Sequence, residues 1–420
     1  MSDNNRVVVT GIGMITAAGK NVDETWQKVL SGETAIDTIT RFDISDFKAS
    51  LAAEIKDFDP ALFVEEKKDV RRLDRYCQYS LAAVHEAVVS SGIDFKSESL
   101  DKTRCGVIFG SGVGGIETLE TEITKYAQNN ENGKGPSRVS PLYIPMLISN
   151  IAAGHISIKY GLEGHGFAPV SACATSAHAV GEAFRAIKHG YADIMIAGGG
   201  EAAITPTSIA GFQNMTALST ATDKNEGLLA FDRRRKGFIM GEGAGALILE
   251  NYESAKKRGA FIYSEVLGYC ASFDAYHITA PEPTGKGAVN AIVRAINDAK
   301  LNKNQIGYIN AHGTGTPPND RTETAAIKAV FGENAYNIPI SSTKGVVGHM
   351  LGAAGAVEAI FCMKAISGGL LPPTANLRES DPDCDLDYIP LHAREKKTDY
   401  ALSTSLGFGA TNAVLIFGKI

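Results

Sequence analysis

The chain has 420 residues, 44% of them apolar and 21% charged, with 44 glycines and a single tryptophan. That mixture excludes a disordered chain, and the longest apolar runs, such as 194–197, stop at glycine or charge well short of a membrane span. A net charge of −6 excludes nucleic acid as a global partner while leaving room for a local basic patch.

In chain order, β-branched runs ending in glycine predict strands at 6–13, 105–112, 193–200, 245–250, 306–316, 338–344 and 413–419. Near-continuous apolar runs of this kind suit strands buried on both faces. Apolar residues at three- and four-residue spacing predict helices at 73–92, 176–190, 287–300, 323–332 and 352–369, several closed by a glycine. Strands alternating with helices imply an α/β architecture. A soft boundary at 251–259 divides the chain into halves, 1–255 and 256–420. Each half carries strand, reactive residue and helix in that order, which hints at a diverged duplication.

The start, MSDNNRVVVTGIG, has no basic region leading into a long apolar segment, and a cytoplasmic protein is expected. The six cysteines are scattered without a CxxC, and Cys/His spacing fits no zinc template, so no metal site is expected. GSGVGG at 110–115 satisfies the dinucleotide fingerprint, but no acidic ribose ligand follows at the usual distance. A tight strand-to-helix turn accounts for it.

The reactive residues stand out by context. Cys173 lies between an extended run and an amphipathic helix, among Ser171, Ala172, Ala174, Ser176 and Ala177, all small enough for a sharp turn. Such a turn presents the sulfur at a helix N-terminus, which favours a thiolate near neutral pH. His312 opens HGTGT directly after a predicted strand, and His349 lies in SSTKGVVGHMLGAAG with Lys344 five residues before it. His85, His155, His189 and His392 lack that setting and read as surface or satisfied core residues.

A thiol and two imidazoles suit one chemistry. The cysteine carries an acyl group as a thioester, dividing a hard reaction into two easier steps. A malonyl thioester then loses CO2, and neutral histidines donate to the enolate oxygen as its charge develops. Lys344 orients or polarises a histidine, with Glu323 and Glu358 as expected ionic partners.

The stretches ACATS, AHGTGTPPND, SSTKGVVGHMLGAAGAVE and LGFGATN, with FDRRRKGFIMGEGAGALILE and SFDAYHITAPEPTGKG, resemble the β-ketoacyl-acyl-carrier-protein synthases, above all their elongating type II members. The resemblance runs through essentially the whole chain. It implies a thiolase fold: two related halves in a five-layered α-β-α-β-α sandwich, as a homodimer. It implies catalysis by Cys173, His312, His349 and Lys344, an oxyanion hole from the amides of Cys173 and Phe408, and a gate at Phe408. Thr279, Thr314 and Thr316 match positions lining the pantetheine tunnel, with Phe212 and Ile116 on the substrate side. The implied partner is an acidic acyl carrier protein, which brings the phosphopantetheine so that no resident cofactor is needed. It would dock on a basic cluster in which Lys68, Arg71 and Arg72 match the family's positions, with Arg138 in a second. NDRTETAAIK and PPTANLRESDPDCDLDYIP are similar as well to type II polyketide ketosynthases, which condense by the same chemistry and often form heterodimers.

The chain departs from the family's pattern at His165, at Leu406 and at Thr216, where a basic residue is usual. Ala410 replaces a gate-loop glycine and is expected to stiffen the loop or to demand a negative φ.

Overall fold

The computed structural model describes residues 5–420. Its ten-stranded sheet contains the same five-strand pattern twice. The first set is β1 (Val7–Thr16), β2 (Cys105–Gly110), β3 (Gly166–Phe167), β4 (Ile194–Glu201) and β5 (Gly243–Asn251). The second is β6 (Ser264–Phe273), β7 (Tyr308–Asn310), β8 (Ile340–Ser341), β9 (Tyr400–Gly407) and β10 (Thr411–Gly418). In space the sets run β3-β2-β4-β5-β1 and β8-β7-β9-β10-β6. In both, the outer strands are parallel and the inner two antiparallel. They join where β1 pairs antiparallel with β6, Val7 facing Val266.

Six helices make the layers: α1 (Arg75–Ser91), α2 (Ile151–Tyr160), α3 (Thr175–Lys188), α4 (Lys286–Asp298), α5 (Pro317–Phe331) and α6 (Ala354–Gly368). α1 and α2 cover the first strand set; α4, with α5 against it, covers the second. α3 and α6 touch both sets and form the middle layer, which gives the five-layered sandwich. α6 is buried nearly all round, as an apolar helix of a central layer must be. Leu351–Gly368 is apolar and long enough to cross a membrane by composition, but 83% of it is buried within the fold. α3 and α6 approach so closely that a Cβ on Gly355 would lie 2.7 Å from Ala177.

Two predicted strands are shorter than expected. The one at 306–316 stops at Asn310, because Gly313 (φ +38°) and Gly315 (φ +77°) turn the chain out of the sheet. The one at 338–344 keeps only Ile340–Ser341. α5 starts at Pro317, with proline in the first turn where its missing N–H is harmless, six residues before the predicted start. The shortened β7 and β8 hand the chain to the loops that carry His312, Lys344 and His349, which meet Cys173 at the N-terminus of α3.

Candidate active site

Cys173 sits in the 3-10 turn Ala172–Ala174, directly before α3. The turn requires Ala172 at φ +48°, a left-handed conformation costly for a residue with a Cβ. Thr175 fixes it: its Oγ1 accepts from the Ser171 amide at 2.9 Å and donates to the Ala172 carbonyl at 2.8 Å. The second half contributes as well, since Thr411 Oγ1 donates to the Ser171 carbonyl at 3.2 Å and the backbone amide of Phe408 favours the ionised form of the Cys173 sulfur.

His349 Nε2 lies 3.2 Å from Cys173 Sγ. The ring of His312 stands edge-on to His349 with centroids 5.2 Å apart, and Phe238 packs on His349 at 5.2 Å. Burial, then the charge of Lys344, hold both imidazoles well below the usual histidine range, so they are neutral. Burial also pushes the Cys173 thiol up to about 12, with Lys344 and the Phe408 amide pulling the other way. The turn does deliver the sulfur to the helix start, and burial there opposes the thiolate that the helix start favours. The resting site holds a neutral thiol with a proton acceptor 3.2 Å away.

Lys344 is almost wholly buried; its Nζ donates to the His312 carbonyl at 2.6 Å and pairs with Glu358. Glu358 is thus the expected partner, and Glu323 is not. Glu323 accepts from the amides of His312 and Gly313, each at 2.8 Å, and from Thr404 Oγ1 at 2.6 Å. Because α5 begins early, Glu323 falls in its second turn, facing the His312 loop rather than Lys344.

The sequence reading passed over Glu201, at the end of β4. Its carboxylate accepts from Ser111 Oγ (2.7 Å), Gly112 N (2.8 Å), Val113 N (3.2 Å) and Gly352 N (3.0 Å). The GSGVGG amides therefore cradle the protein's own carboxylate, in the way such loops elsewhere hold phosphate. A glutamate closing the buried run IMIAGGGE was the available signal, since an acid there needs partners.

A cavity of about 320 Å³ leads from Cys173, His312 and His349 to the surface. Thr279, Thr314, Thr316, Phe212 and Phe408 line it. Ile116 does not; it packs against the core cluster that includes Cys173. Phe212 and Phe408 face each other at 6.3 Å. In the loop that carries Phe408, Ala410 adopts φ +62°, which corrects the expected negative φ. Two backbone bonds hold it there: Asp274 N to Ala410 O at 2.8 Å and Gly409 N to Ile278 O at 2.7 Å. Of the basic residues, Lys68, Arg71 and Arg72 lie exposed on the turn Lys67–Arg72, and Arg138 is exposed on another segment. Lys68 pairs with Glu66 at 2.5 Å and Arg72 with Asp69 at 3.0 Å, exposed contacts of small energetic weight.

Comparison with known proteins places this geometry. The chain matches the family described as "Beta-ketoacyl synthase, N-terminal domain" over residues 4–255 and its C-terminal domain over 263–378. It is 46% identical to 3-oxoacyl-(acyl-carrier-protein) synthase 2 of Synechocystis sp. over 418 residues, 99% of each chain. A β-ketoacyl synthase from Burkholderia phymatum superposes with a TM-score of 0.90 at 35% identity, covering 99% of this chain and 100% of that one. A chain of AntDE:AntF, a type II polyketide ketosynthase in complex with its acyl-carrier protein, superposes with a TM-score of 0.90 at 32% identity, covering 99% of both chains. The chain belongs to the β-ketoacyl synthase family, with its thiolase fold.

Proposed function

We propose that the protein is an acyltransferase that elongates fatty acyl chains on acyl carrier protein by decarboxylative condensation. The observation that carries this reading is the contact of Cys173 Sγ with His349 Nε2, with neutral His312 beside it. The sulfur attacks the carbonyl of an acyl-carrier thioester while its proton passes to His349 Nε2. The new C–S bond replaces the one to the carrier's pantetheine, and that departing sulfur takes the proton. The amides of Cys173 and Phe408 stabilise the oxyanion. A malonyl thioester then enters, its bond to the carboxylate breaks, CO2 leaves, and the electron pair moves onto the enolate oxygen. The N–H of His312 donates to that oxygen, and His349 does so once a proton from solvent has reached its Nε2. The enolate carbon attacks the acyl thioester, forming a C–C bond as the C–S bond to Cys173 breaks, and the released sulfur takes the solvent-derived proton from His349 Nε2.

Lys344, held by Glu358, positions His312 through its carbonyl. Thr279, Thr314 and Thr316 receive the pantetheine arm, and Lys68, Arg71, Arg72 and Arg138 attract the acidic carrier. The phosphopantetheine arrives on the carrier, with no resident cofactor, and the reaction runs in the cytoplasm. Residues 1–255 and 256–420 are the two related halves. A second copy would cover β3, whose outer edge has no partner strand among the described residues; its Phe167 is 45% exposed and Val170, just beyond it, is 60% exposed. Identity of 46% over the full length to a synthase 2, against 32% to a polyketide ketosynthase, favours the fatty acid pathway. Intact-mass analysis after incubation with acyl carriers of graded length tests the reading. The protein should gain one acyl group, lost in Cys173→Ser; a thioester and continued elongation in that variant would refute it.

A further inference from the structure

We infer that Lys236 binds the phosphate at the outer end of the carrier protein's pantetheine arm. This rests on the carrier-dependent reading above and assigns a further residue to the same tunnel.

Lys236 lines the cavity that leads to Cys173. Gly237 N donates to the Gly315 carbonyl at 3.0 Å, which lays Lys236 and Gly237 along the wall formed by Thr314 and Thr316. Exposure rises outward along that wall: His312 and Thr314 are buried, Thr316 is half-buried and Lys236 is exposed. Phe238, two residues on, reaches the catalytic floor against His349. One short segment thus connects the floor of the tunnel to its rim.

The charges single out this lysine. Arg234 is held by Asp232, Glu226 and Glu379, and Arg235 by Asp381. Lys236 Nζ has no ion pair or hydrogen bond among the described residues. The other charged residue lining the cavity, Asp274, is occupied by Asn412 Nδ2 at 2.7 Å and the Glu282 amide at 3.2 Å. Among the described residues the rim therefore presents one free cation above a wall of hydroxyls. A pantetheine arm has the matching polarity: a thioester at its inner end, amides along its length and an anionic phosphate outermost. An ammonium binds phosphate as a point charge without demanding fixed geometry.

The test compares two small donors, an acyl-pantetheine and the corresponding acyl-4′-phosphopantetheine, by the concentration dependence of Cys173 acylation in the intact protein. The native protein should favour the phosphorylated donor by roughly three- to tenfold in apparent KM, an advantage that shrinks with added salt. Lys236→Met should bring that ratio close to one, and Lys236→Arg should retain most of it. An unchanged ratio in Lys236→Met, or no preference in the native protein, overturns the inference. So does an effect confined to carrier-borne acyl groups, which would place Lys236 against the carrier's acidic surface. If no donor acylates Cys173, acyl carrier protein included, the functional reading itself fails and takes this inference with it.

Discussion

Lys344 Nζ donates to the main-chain carbonyl of His312 at 2.6 Å while paired with Glu358, so one buried cation ties a catalytic loop to the central helix α6. Removing its partner would strand a charge in a buried site. Glu358→Ala should destabilise the protein by about 3–5 kcal/mol, whereas the double replacement Lys344→Met with Glu358→Leu should cost much less. Urea denaturation of the three proteins measures this. A cost for Glu358→Ala below about 1 kcal/mol would mean that the pair does not hold the loop.

The depressed histidines set the acid limit of decarboxylation. A lowered pKa means the imidazoles release their protons more readily, so the neutral forms persist as pH falls past 6.5. Malonyl decarboxylation by Cys173→Gln, followed as CO2 release, should hold its rate through pH 6.5 and decline only at more acid values. His312→Ala or His349→Ala should remove most of it. An acid limb centred at or above pH 6.5 would show that the imidazoles titrate as in water.

Ala410 at φ +62° stores a backbone cost in the gate loop. Glycine takes that conformation without penalty but enlarges the freedom of the unfolded chain, so the two effects partly cancel. Ala410→Gly should stabilise the protein by about 0.5–1 kcal/mol in urea denaturation. A loss of stability would mean that the loop relaxes to a negative φ in solution.

The reactive residues were legible because their surroundings are local. Small residues around Cys173 and glycines after apolar runs at His312 and His349 mark turns at strand ends, wherever the rest of the chain goes. The two related halves were visible only as a repeated order of elements. β6 and β9 escaped because YALSTSLG interrupts its apolar run with hydroxyls and β6 loses burial toward Phe273. Glu323 was given the wrong partner because its helix was expected to start at 323 rather than at Pro317, which changes the direction it faces. Glu201 was missed for a different reason: its partners lie 88 to 151 residues away in sequence, and only the fold brings them together.

Glu201 supplies the sharpest test of how the halves align. Its carboxylate joins Ser111, Gly112 and Val113 of the first half to Gly352, three residues beyond His349. Burial pushes this carboxyl up, while the surrounding hydrogen bonds pull it down. Three of those neighbours are backbone N–H donors, which fits an ionised acceptor; only the Ser111 hydroxyl, which already accepts from the Gly114 amide, could receive a carboxylic O–H. Glu201→Gln separates the two states, because the amide closely copies a protonated acid but not a carboxylate. Its NH2 would face backbone donors, leaving some unsatisfied, for a loss of about 1–3 kcal/mol. The displaced Gly352 would shift His349 relative to Cys173, and misplacement of about 1 Å at such a contact costs on the order of a hundredfold in rate. The fall should therefore appear in kcat for Cys173 acylation, with KM for the acyl carrier little changed because the docking residues lie elsewhere. A Glu201→Gln protein with native stability and kcat would mean that Glu201 rests protonated and that the His349 loop is held by its own packing.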